Sequence, residues 1–488
     1  MPNLTESDPT DGKVADGVWP TSPPTKAQRA AYADAAEIPF WLDGSRPDPR
    51  PPLAIDSEAD LAIIGGGLTG LWAALLASER YPERSIALIE GKTIASGASG
   101  RNGGFMSSSL VHGIANGLSR FPDEVGTLER LGLDNLEEIG QTIERLGIEC
   151  SFSQPGAIEV AMTDGQLAEL ADKAVELGRF GHDAELLDAG QMRSEVDSPL
   201  FTGGLWQKSG ECSVNPVALT RGLAEAAEAL GVRIYENTEM TDIEEDGVEV
   251  AVKTPAGTLR CRQALLATSA FRSPVRAIRS RVIPVFDYVL VTEPLTEAQW
   301  DSVGWQGGQG LSDSANRFHY YRPIDGGRIL WGGYDAIYHY GGRVEDRYYQ
   351  RDTSFAGLSQ RFFTAFPQLE GIRFTHRWGG AIDTCSRFFA FYGTTLSGRV
   401  SYAVGHTGLG VGASRFAARV ALAMLDGTEP ELLAMDYVRK QPVPFPPEPL
   451  RWATIELTRN RLAAADRHDG QEGIWLKTLQ RLGLGFDS

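Results

Sequence analysis

Three glycines near residue 65 constrain the fold of this chain more than any other feature. Gly65, Gly67 and Gly70 form a GxGxxG motif between the apolar run LAII and the alanine- and leucine-rich segment LWAALLASER. A second apolar run, IALIE, follows and ends at Glu90. A strand, a glycine turn, a helix and a second strand make a βαβ unit, in which the helix connects two parallel strands. The motif therefore predicts a Rossmann-type α/β domain.

The same motif predicts dinucleotide binding. Amides at the N-terminus of the helix, at Leu68 and Thr69, can face a pyrophosphate, and the last glycine lets the helix pack on the strand. Glu90 comes twenty residues after Gly70, next to Gly91, where a carboxylate can accept hydrogen bonds from both ribose hydroxyls and disfavours a 2′-phosphate. The alternative is a tight turn followed by a surface glutamate.

Length and charge limit the classes of protein to consider. The chain has 488 residues, 42% of them hydrophobic, which suits two globular domains plus extensions. The formal charge is −18, from 46 basic and 64 acidic residues, and it disfavours nucleic acid and anionic membrane surfaces as partners. This charge either serves solubility or attracts a cationic substrate.

Cysteine usage and the N-terminus predict a cytoplasmic protein. The four cysteines are scattered without a CxxC pair, so neither a metal site nor a disulfide framework is expected. No segment approaches the ~20 apolar residues that span a bilayer, and the first residues lack a signal-like pattern. We expect an unanchored protein with reduced thiols.

Changes in amino-acid composition along the chain divide it into segments. Proline-rich stretches predict an N-terminal arm over 1–55 and a C-terminal tail over 436–488. Aromatic, β-rich sequence between them predicts a separate antiparallel sheet. The expected fold is α/β (α+β), with an antiparallel-sheet substrate domain inserted into a Rossmann-type cofactor domain. The predicted cofactor segments are 56–110, 200–275 and 372–435, and the predicted substrate segments are 111–199 and 276–371.

The segment after Glu90 indicates which dinucleotide is bound. GKTIASGASGRNGGFMSSS is rich in glycine and small residues, so its backbone can run close along an elongated cofactor. It resembles the D-amino-acid oxidase-like superfamily of FAD enzymes, whose members carry an ASGxSGRNGG-like stretch here. A solvent loop with a glycine hinge is the alternative. The resemblance implies FAD contacts from Ser96, Ser99, Arg101, Asn102, Gly103 and Gly104.

Later segments are similar to landmarks of the same family in the same order. ENTEM, ending at Met240, resembles the segment that covers the adenine, and LLATSAF resembles the strand end beside the pyrophosphate, at Ala267 and Thr268. GHTGLGVGAS resembles the closing flavin loop, and amides at the start of the helix that follows would stabilise negative charge on reduced flavin. VHGIANG, IPVFDYVLVTEPL and RWGG resemble the gamma-glutamylputrescine oxidase branch. For the loop, the resemblance implies FAD contacts from Gly408, Leu409, Gly410 and Val411.

Three departures from the family concern the reaction. Trp331 aligns with the lysine that helps reduced flavin react with oxygen in sarcosine oxidases, which puts oxygen reactivity in question. Asp335 aligns with their substrate-binding histidine, and it either pairs with a cationic amine or is a surface residue in a turn. Cys385 raises the question of a covalent flavin. The linking cysteine of those enzymes aligns several residues earlier, near Gly379, and we therefore expect noncovalent FAD.

The resemblance implies a flavoenzyme that oxidises a primary or secondary amine of the polyamine or N-substituted amino-acid type. Hydride transfer to flavin N5 would give an imine that water hydrolyses, with oxygen or another acceptor reoxidising the flavin. A D-amino-acid or N-methylamino-acid dehydrogenase and a flavin-binding subunit of a larger complex are the rivals. Arg322 could grip a carboxylate or be structural, and the histidines could be acid, base or satisfied loop residues. The predicted catalytic and substrate-binding residues are Trp331, Tyr334, Asp335, His406, His112, Tyr320, Tyr321 and Arg322.

Overall fold

A computed structural model describes residues 18–44, 47–333, 335–467 and 473–481. Its strands, numbered in chain order, are β1 (Ser57–Ile64), β2 (Ile86–Ile89), β3 (Phe105–Ser107), β4 (Ala157–Ala161), β5 (Ala184–Asp188), β6 (Gly203–Gln207), β7 (Glu211–Ser213), β8 (Arg233–Tyr235), β9 (Asp242–Asp246), β10 (Glu249–Lys253), β11 (Thr258–Leu266), β12 (Ile283–Thr292), β13 (Gly310–Asp313), β14 (His319–Ile324), β15 (Arg328–Gly333), β16 (Ile337–Tyr338), β17 (Phe374–Thr384), β18 (Phe391–Thr395) and β19 (Val400–Val404).

The helices lie before β1, between strands or after β19. They are α1 (Lys26–Ala30), α2 (Leu68–Arg80), α3 (Ile114–Arg120), α4 (Val125–Leu146), α5 (Asp164–Arg179), α6 (Ala189–Glu195), α7 (Pro216–Ala229), α8 (Arg276–Arg279), α9 (Glu297–Val303), α10 (Asp352–Ala365), α11 (Gly410–Asp426), α12 (Pro430–Ala434), α13 (Asp436–Arg439), α14 (Leu450–Arg467) and α15 (Ile474–Arg481). Among the residues described, no helix is long and apolar enough to cross a membrane.

The first sheet is the predicted Rossmann-type sheet. Its strands run in the order β18-β19-β11-β1-β2-β8, and β19, β11, β1, β2 and β8 are parallel. The strand β1 is buried over Leu61–Ile64, as expected for a parallel strand covered on both faces. Helix α2 packs against α7 and α11. Ligands of such sheets bind at the carboxyl ends of the strands, where the turn after β1 lies.

The second sheet is the predicted, mainly antiparallel one. Its strands run in the order β16-β12-β15-β14-β13-β4-β6-β5, with β17 paired to β12 and only β13 and β4 parallel within that order. The mixed α/β architecture confirms the predicted fold class.

Membership of the two sheets does not follow the expected segment boundaries. Strands β6 and β17 belong to the second sheet, although they lie in segments 200–275 and 372–435 that were expected in the cofactor domain. Helix α4, from segment 111–199, packs on α11 beside the first sheet. Strand pairing decides this membership, because β17 pairs with β12 along nearly its whole length.

Part of the expected N-terminal arm docks on the globular body. The Trp41 side chain is buried and its Nε1 donates to the carbonyl of Asn102, 2.8 Å away. Tyr32 is buried in the core of the second sheet, and its hydroxyl donates to Asp352. The arm therefore contacts the core of the second sheet through Tyr32 and the glycine-rich segment after β2 through Trp41.

Candidate cofactor and substrate site

The turn between β1 and α2 can be built only with glycine at two positions. Gly65 has a φ of +117°, and a Cβ there would lie 2.3 Å from the carbonyl oxygen of Ala267. A Cβ on Gly70 would lie 2.0 Å from the carbonyl oxygen of Gly65, so the helix could not approach the strand. Gly67 is the N-cap of α2 and supplies no capping side chain. The N–H groups in the first turn of α2 consequently point out of the helix, towards the space in front of its N-terminus.

Glu90 lies at the end of β2 and holds this turn. Its Oε2 accepts a hydrogen bond from the Gly66 amide at 2.7 Å, and its Oε1 accepts one from the Lys92 amide at 2.8 Å. Burial raises the pKa of the carboxyl, while the two amide hydrogen bonds oppose the shift. Each oxygen keeps a second lone pair with which it could accept from a ribose hydroxyl.

The glycine-rich segment after Glu90 is fixed by its own side chains. Ser99 Oγ accepts from the Leu68 amide at 3.0 Å, which ties the segment to the start of α2. Asn102 donates to the carbonyls of Ala98 and Ser99 and accepts from the Gly104 amide. The serine and the asparagine therefore hold the backbone in one conformation beside the helix N-terminus.

Two arginines hold the same segment, the buried Arg322 from β14 and the half-buried Arg101 from within the segment. Arg322 donates from Nε to the Gly103 carbonyl at 2.8 Å and from Nη2 to the Val214 carbonyl at 2.7 Å. Arg101 donates to the carbonyls of Ser96 and Gly379, and its guanidinium lies 3.8 Å from the Tyr349 ring centre. Burial lowers the pKa of Arg322 to about 10.

A second helix N-terminus faces the first. Leu409 caps α11 without a side-chain hydrogen bond, and a Cβ on Gly412 would lie 2.1 Å from the Ser107 carbonyl oxygen. Asp383 anchors the loop before α11 by accepting from the Gly405 amide at 2.7 Å and the His406 amide at 3.2 Å. The close approach of α11 to β3 fixes this helix beside the glycine-rich segment.

The two histidines near this loop are held by hydrogen bonds. His406 lies with Nδ1 3.3 Å from Asp383 Oδ2 and Nε2 3.4 Å from Thr69 Oγ1. His112 donates from Nε2 to the Thr407 carbonyl at 2.7 Å. Burial lowers the pKa of His112 to about 4, so this imidazole is neutral near pH 7.

Both helix N-termini open into one cavity of about 2020 Å³. Small-molecule pockets are typically about 300–1,000 Å³, so the cavity has room for a large cofactor and more. It brings together many of the residues that the sequence singled out. The predicted residues that line it are Gly67, Leu68, Thr69, Ser99, Arg101, Asn102, Gly103, His112, Ala267, Tyr320, His406, Gly408, Leu409, Gly410 and Val411.

The residues of this region fit FAD. The glycine turn at Gly65 and Gly70 is a backbone cradle that a Cβ would close. Two helix N-termini whose N-cap residues make no side-chain hydrogen bond suit a pyrophosphate and an electron-rich flavin edge. Beside Ala267, the hydroxyl of Thr268 is buried and has no hydrogen-bond partner among the described residues. Thr268 therefore offers a polar group that a cofactor could satisfy.

Sequence reasoning missed Asp287, one of the acidic residues on the cavity wall. Asp287, in β12, lines the cavity, accepts from the Tyr320 hydroxyl at 2.7 Å and accepts from the Tyr288 amide at 2.8 Å. Burial raises the pKa of Asp287 to about 6, and the Tyr320 hydrogen bond opposes that rise. A single carboxylate within the apolar run IPVFDYVLVT was the signal that could have found it.

Asp287 lies against the glycine-rich segment. It pairs with Gly380 across the β12–β17 ladder, and a Cβ on Gly380 would lie 3.2 Å from Arg101 Cβ. Its partner Tyr320 packs so closely on Gly103 that a Cβ there would lie 2.8 Å from the ring. The carboxylate and the phenol thus stand next to the segment that the family resemblance assigns to the flavin.

Several predicted catalytic and substrate-binding residues lie elsewhere. Trp331 and Tyr321 are fully buried and their rings contact each other, with centres 4.5 Å apart and planes tilted by 34°, in the core on the other face of the second sheet. Asp335 accepts from Arg351 at 3.1 Å and from the Ser354 hydroxyl. None of these three predicted residues lines the cavity, and Tyr334 lies outside the described residues.

Other predicted residues support the site without lining the cavity. Arg322 does not line it, and its guanidinium donates to backbone carbonyls, so the structure does not support the predicted grip on a carboxylate. Cys385 is buried, and its thiol lies 3.2 Å from the Phe389 carbonyl and 3.5 Å from the Gly405 carbonyl. The remaining predicted FAD residues outside the cavity lining are Gly65, Gly70, Glu90, Gly91, Ser96, Gly104, Met240 and Thr268.

Comparisons with known proteins show which proteins the chain resembles. Residues 60–424 match the DAO family model, described as FAD dependent oxidoreductase. The chain is 32% identical over 379 residues to gamma-glutamylputrescine oxidoreductase of Escherichia coli strain K12, covering 75% of this chain and 84% of the relative. It is 28% identical over 406 residues to the probable oxidoreductase OrdL of Haemophilus influenzae, covering 80% and 89%.

A solved structure shows the same fold. Glycine oxidase from Geobacillus kaustophilus superimposes with a TM-score of 0.65 at 21% identity, covering 76% of this chain and 96% of that one. At this identity the likeness concerns the fold alone.

Proposed function

Since this chain belongs to the DAO family of FAD-dependent oxidoreductases, we propose that it oxidises a C–N bond of a primary or secondary amine, with Asp287 and Tyr320 receiving the amine. The reaction class agrees with its relatives, among them a gamma-glutamylputrescine oxidoreductase. The residue roles rest on the geometry of the cavity wall.

The cofactor end of the cavity is assigned to backbone groups. The amides at the start of α2, with Ser99 beside them, would hold the pyrophosphate, and Glu90 would accept from the ribose. The start of α11 would stabilise negative charge at the pyrimidine edge. When bound, FAD supplies the two-electron acceptor of the reaction at N5.

One observation carries the amine proposal. Asp287 is a half-buried carboxylate on the wall of the cavity beside the glycine-rich segment, and Tyr320 keeps it oriented. Above pH about 6 it carries a negative charge that can accept hydrogen bonds from a substrate ammonium. Burial raises the pKa of Tyr320, which therefore stays protonated and donates to Asp287.

Asp287 also provides a route to the neutral amine that oxidation requires. A carboxylate in contact with an ammonium can take its proton, and the apolar surroundings favour the neutral pair. His112 is neutral and donates to Thr407, so we assign it to the wall and not to proton transfer. His406, held by Asp383, positions the loop before α11. The imine product would be hydrolysed to a carbonyl compound and ammonia or a smaller amine.

We also propose that FAD is bound noncovalently. The Cys385 thiol lies near two backbone carbonyls and does not line the cavity, and burial raises its pKa, which disfavours the reactive thiolate. Acid precipitation should leave the yellow colour in the supernatant. Colour that stays with the denatured protein would contradict noncovalent binding.

Anaerobic reduction of the purified flavoprotein tests the function. We expect primary and secondary amines to bleach the flavin and to yield an aldehyde or keto acid, whereas N-trimethylated analogues, which cannot lose a proton from nitrogen, should not. Bleaching without added protein would place the activity in this chain and not in a partner. Bleaching by 2-hydroxy acids but by no amine would overturn the proposal. Peroxide release under air identifies oxygen as the acceptor, and turnover with a dye alone identifies a dehydrogenase.

A further inference from the structure

A part of the cavity beside strands β3 and β7 forms an acidic recess, defined here by Glu129, Glu159, Lys173, His182 and Glu211. All five residues line the cavity, whose volume of about 2020 Å³ leaves room beyond a cofactor and a small amine. Three carboxylates face one lysine and one histidine. The recess therefore favours a cation over an anion.

Four of these residues are already paired. Lys173 Nζ lies 2.7 Å from Glu159 Oε2, and Ser314 donates to the other oxygen of that carboxylate. His182 Nε2 lies 2.8 Å from Glu129 Oε2. The charge of Lys173 is thus opposed by Glu159 and does not cancel that of Glu211.

Two acceptors remain in the recess. Within the described residues, Glu211 has one hydrogen bond, from the Ser107 hydroxyl at 2.6 Å, so its carboxylate can accept more. His182 is 8% exposed, and its Nδ1 is buried without a hydrogen-bond partner in that same part of the chain. A histidine that donates from Nε2 to Glu129 presents a lone pair at Nδ1. A carboxylate and an imidazole lone pair together suit an N–H donor.

Strand β3 connects the recess to Asp287. The Phe105 ring lies 5.8 Å from the ring of Tyr320, which donates to Asp287. Ser107, two residues along the strand and on the same side, donates to Glu211. Two residues of a strand span roughly 7 Å. Phe105 therefore links the two carboxylates along this wall, because its ring packs on the partner of Asp287 and the next residue on the same side binds Glu211.

Resting on the proposed function, we propose that Glu211 and His182 bind a second ammonium group of the substrate, so that the enzyme prefers diamines and longer polycations to monoamines. Asp287 receives the reacting nitrogen, Phe105 packs on the methylene chain, and the recess takes the distal nitrogen. A hydrogen bond to a charged group is strong enough for a preference of about tenfold or more.

The preference should depend on pH in a defined direction. Burial raises the pKa of Glu211 to about 7, while the Ser107 hydrogen bond and the charge of Lys173 oppose that rise. The carboxylate is therefore formed as the pH rises through about 7. The preference for a diamine should increase over the same interval.

Reduction kinetics of the holoenzyme with butylamine and with α,ω-diaminobutane test the proposal. We expect kcat/KM for the diamine to exceed that for the monoamine at least tenfold, and Glu211→Gln to reduce this ratio about tenfold. Glu137→Gln, a matched loss of charge at an exposed position of α4, should keep the ratio. A Glu211→Gln enzyme with the wild-type ratio, or a wild-type enzyme with no preference, would overturn it.

Two further measurements separate a failure of the recess proposal from a misfolded variant and from a failure of the proposed function. If Glu211→Gln does not fold, Ser107→Ala serves instead, because loss of that hydrogen bond should move the pH step of the preference upward. Calorimetric binding of diaminobutane and butylamine to the oxidised holoenzyme tests the recess without turnover. If no amine reduces the flavin but diaminobutane still binds more tightly, the proposed function fails and the recess stands. Equal reduction and equal binding by both amines leave the function and refute the recess.

Discussion

Replacing Asp287 by Asn tests the proposed site most directly, because the change alters charge and almost no shape. The Tyr288 amide donates to Oδ1 at 2.8 Å and the Tyr320 hydroxyl to Oδ2 at 2.7 Å. The Asn oxygen can replace Oδ1, and the Tyr320 hydroxyl can turn to accept a hydrogen bond from the amide NH2 that replaces Oδ2. A hydrogen bond to a charged group contributes about 1.5–3 kcal/mol and a neutral one about 0.5–1.5 kcal/mol. The loss of about 1–2 kcal/mol predicts a 5- to 30-fold lower kcat/KM for an amine.

The pH profile separates this explanation from a general loss of packing. In the wild type, kcat/KM should rise through pH about 6 as Asp287 ionises, and this limb should disappear in Asp287→Asn. In Tyr320→Phe the limb should move to higher pH, because the Tyr320 hydrogen bond lowers the pKa of Asp287. The assay is anaerobic flavin reduction at a series of pH values with FAD content matched between variants. An acidic limb that survives in Asp287→Asn would refute the assignment.

As the pH rises and Asp287 ionises, its contribution to stability should decrease while activity increases. The folded-state pKa of Asp287, about 6, lies above the ordinary value of 3.8. Between these values the native state binds more protons than the unfolded state, so this group's contribution to stability decreases as the pH rises through that window. Above it, Asn removes an unfavourable buried charge, and the melting temperature of Asp287→Asn at pH 7 to 8 should equal or exceed that of the wild type. A parallel loss of activity and melting temperature would indicate a structural role instead.

Three further substitutions test the supporting residues. Gly70→Ala places a Cβ 2.0 Å from the Gly65 carbonyl oxygen, and we expect loss of FAD from the purified protein, measured as the ratio of flavin to protein absorbance. Arg322→Met leaves the carbonyl of Gly103 without its donor, so the melting temperature and FAD content should fall while selectivity between amines with and without a carboxylate stays constant. Asp335→Asn should change KM for amines less than twofold in steady-state kinetics, since this carboxylate is paired outside the cavity.

The cofactor end could be predicted because its signals are contiguous in the chain. The positive φ of Gly65, the contact of Gly70 with the Gly65 carbonyl and the hydrogen bonds of Asn102 to Ala98 and Ser99 all arise within short stretches of sequence. The glycine spacing therefore identifies the turn, although the contact of Gly65 with Ala267 needs a second strand. The same holds for the start of α11, where the glycines and the helix that follows lie within one segment.

The substrate end could not be predicted in the same way. Side chains alternate between the two faces of a strand, and this alternation decides which residues face the cavity. Tyr320 and Tyr321 are adjacent in β14, yet Tyr320 reaches Asp287 and Tyr321 contacts Trp331 in the opposite core. Both faces of this sheet are covered, so the sequence shows aromatic residues on both and no alternation that would assign them. A single step along the strand exchanges a wall residue for a core residue, so the sequence could not show that Trp331 lies in the core.

The two ends of the cavity therefore differ in how the fold produces their chemistry. Asp287 and Tyr320 are 33 residues apart and lie on strands β12 and β14, with β15 between them, so their contact requires the completed sheet. Glu211 likewise reaches Ser107 across 104 residues. Substitutions can alter such long-range pairs without disturbing the backbone cradle that would hold FAD. A chain of this family can thus keep its cofactor while its preference among amines changes, and the residues that decide the preference are to be sought on the walls made by β3, β7, β12 and β14.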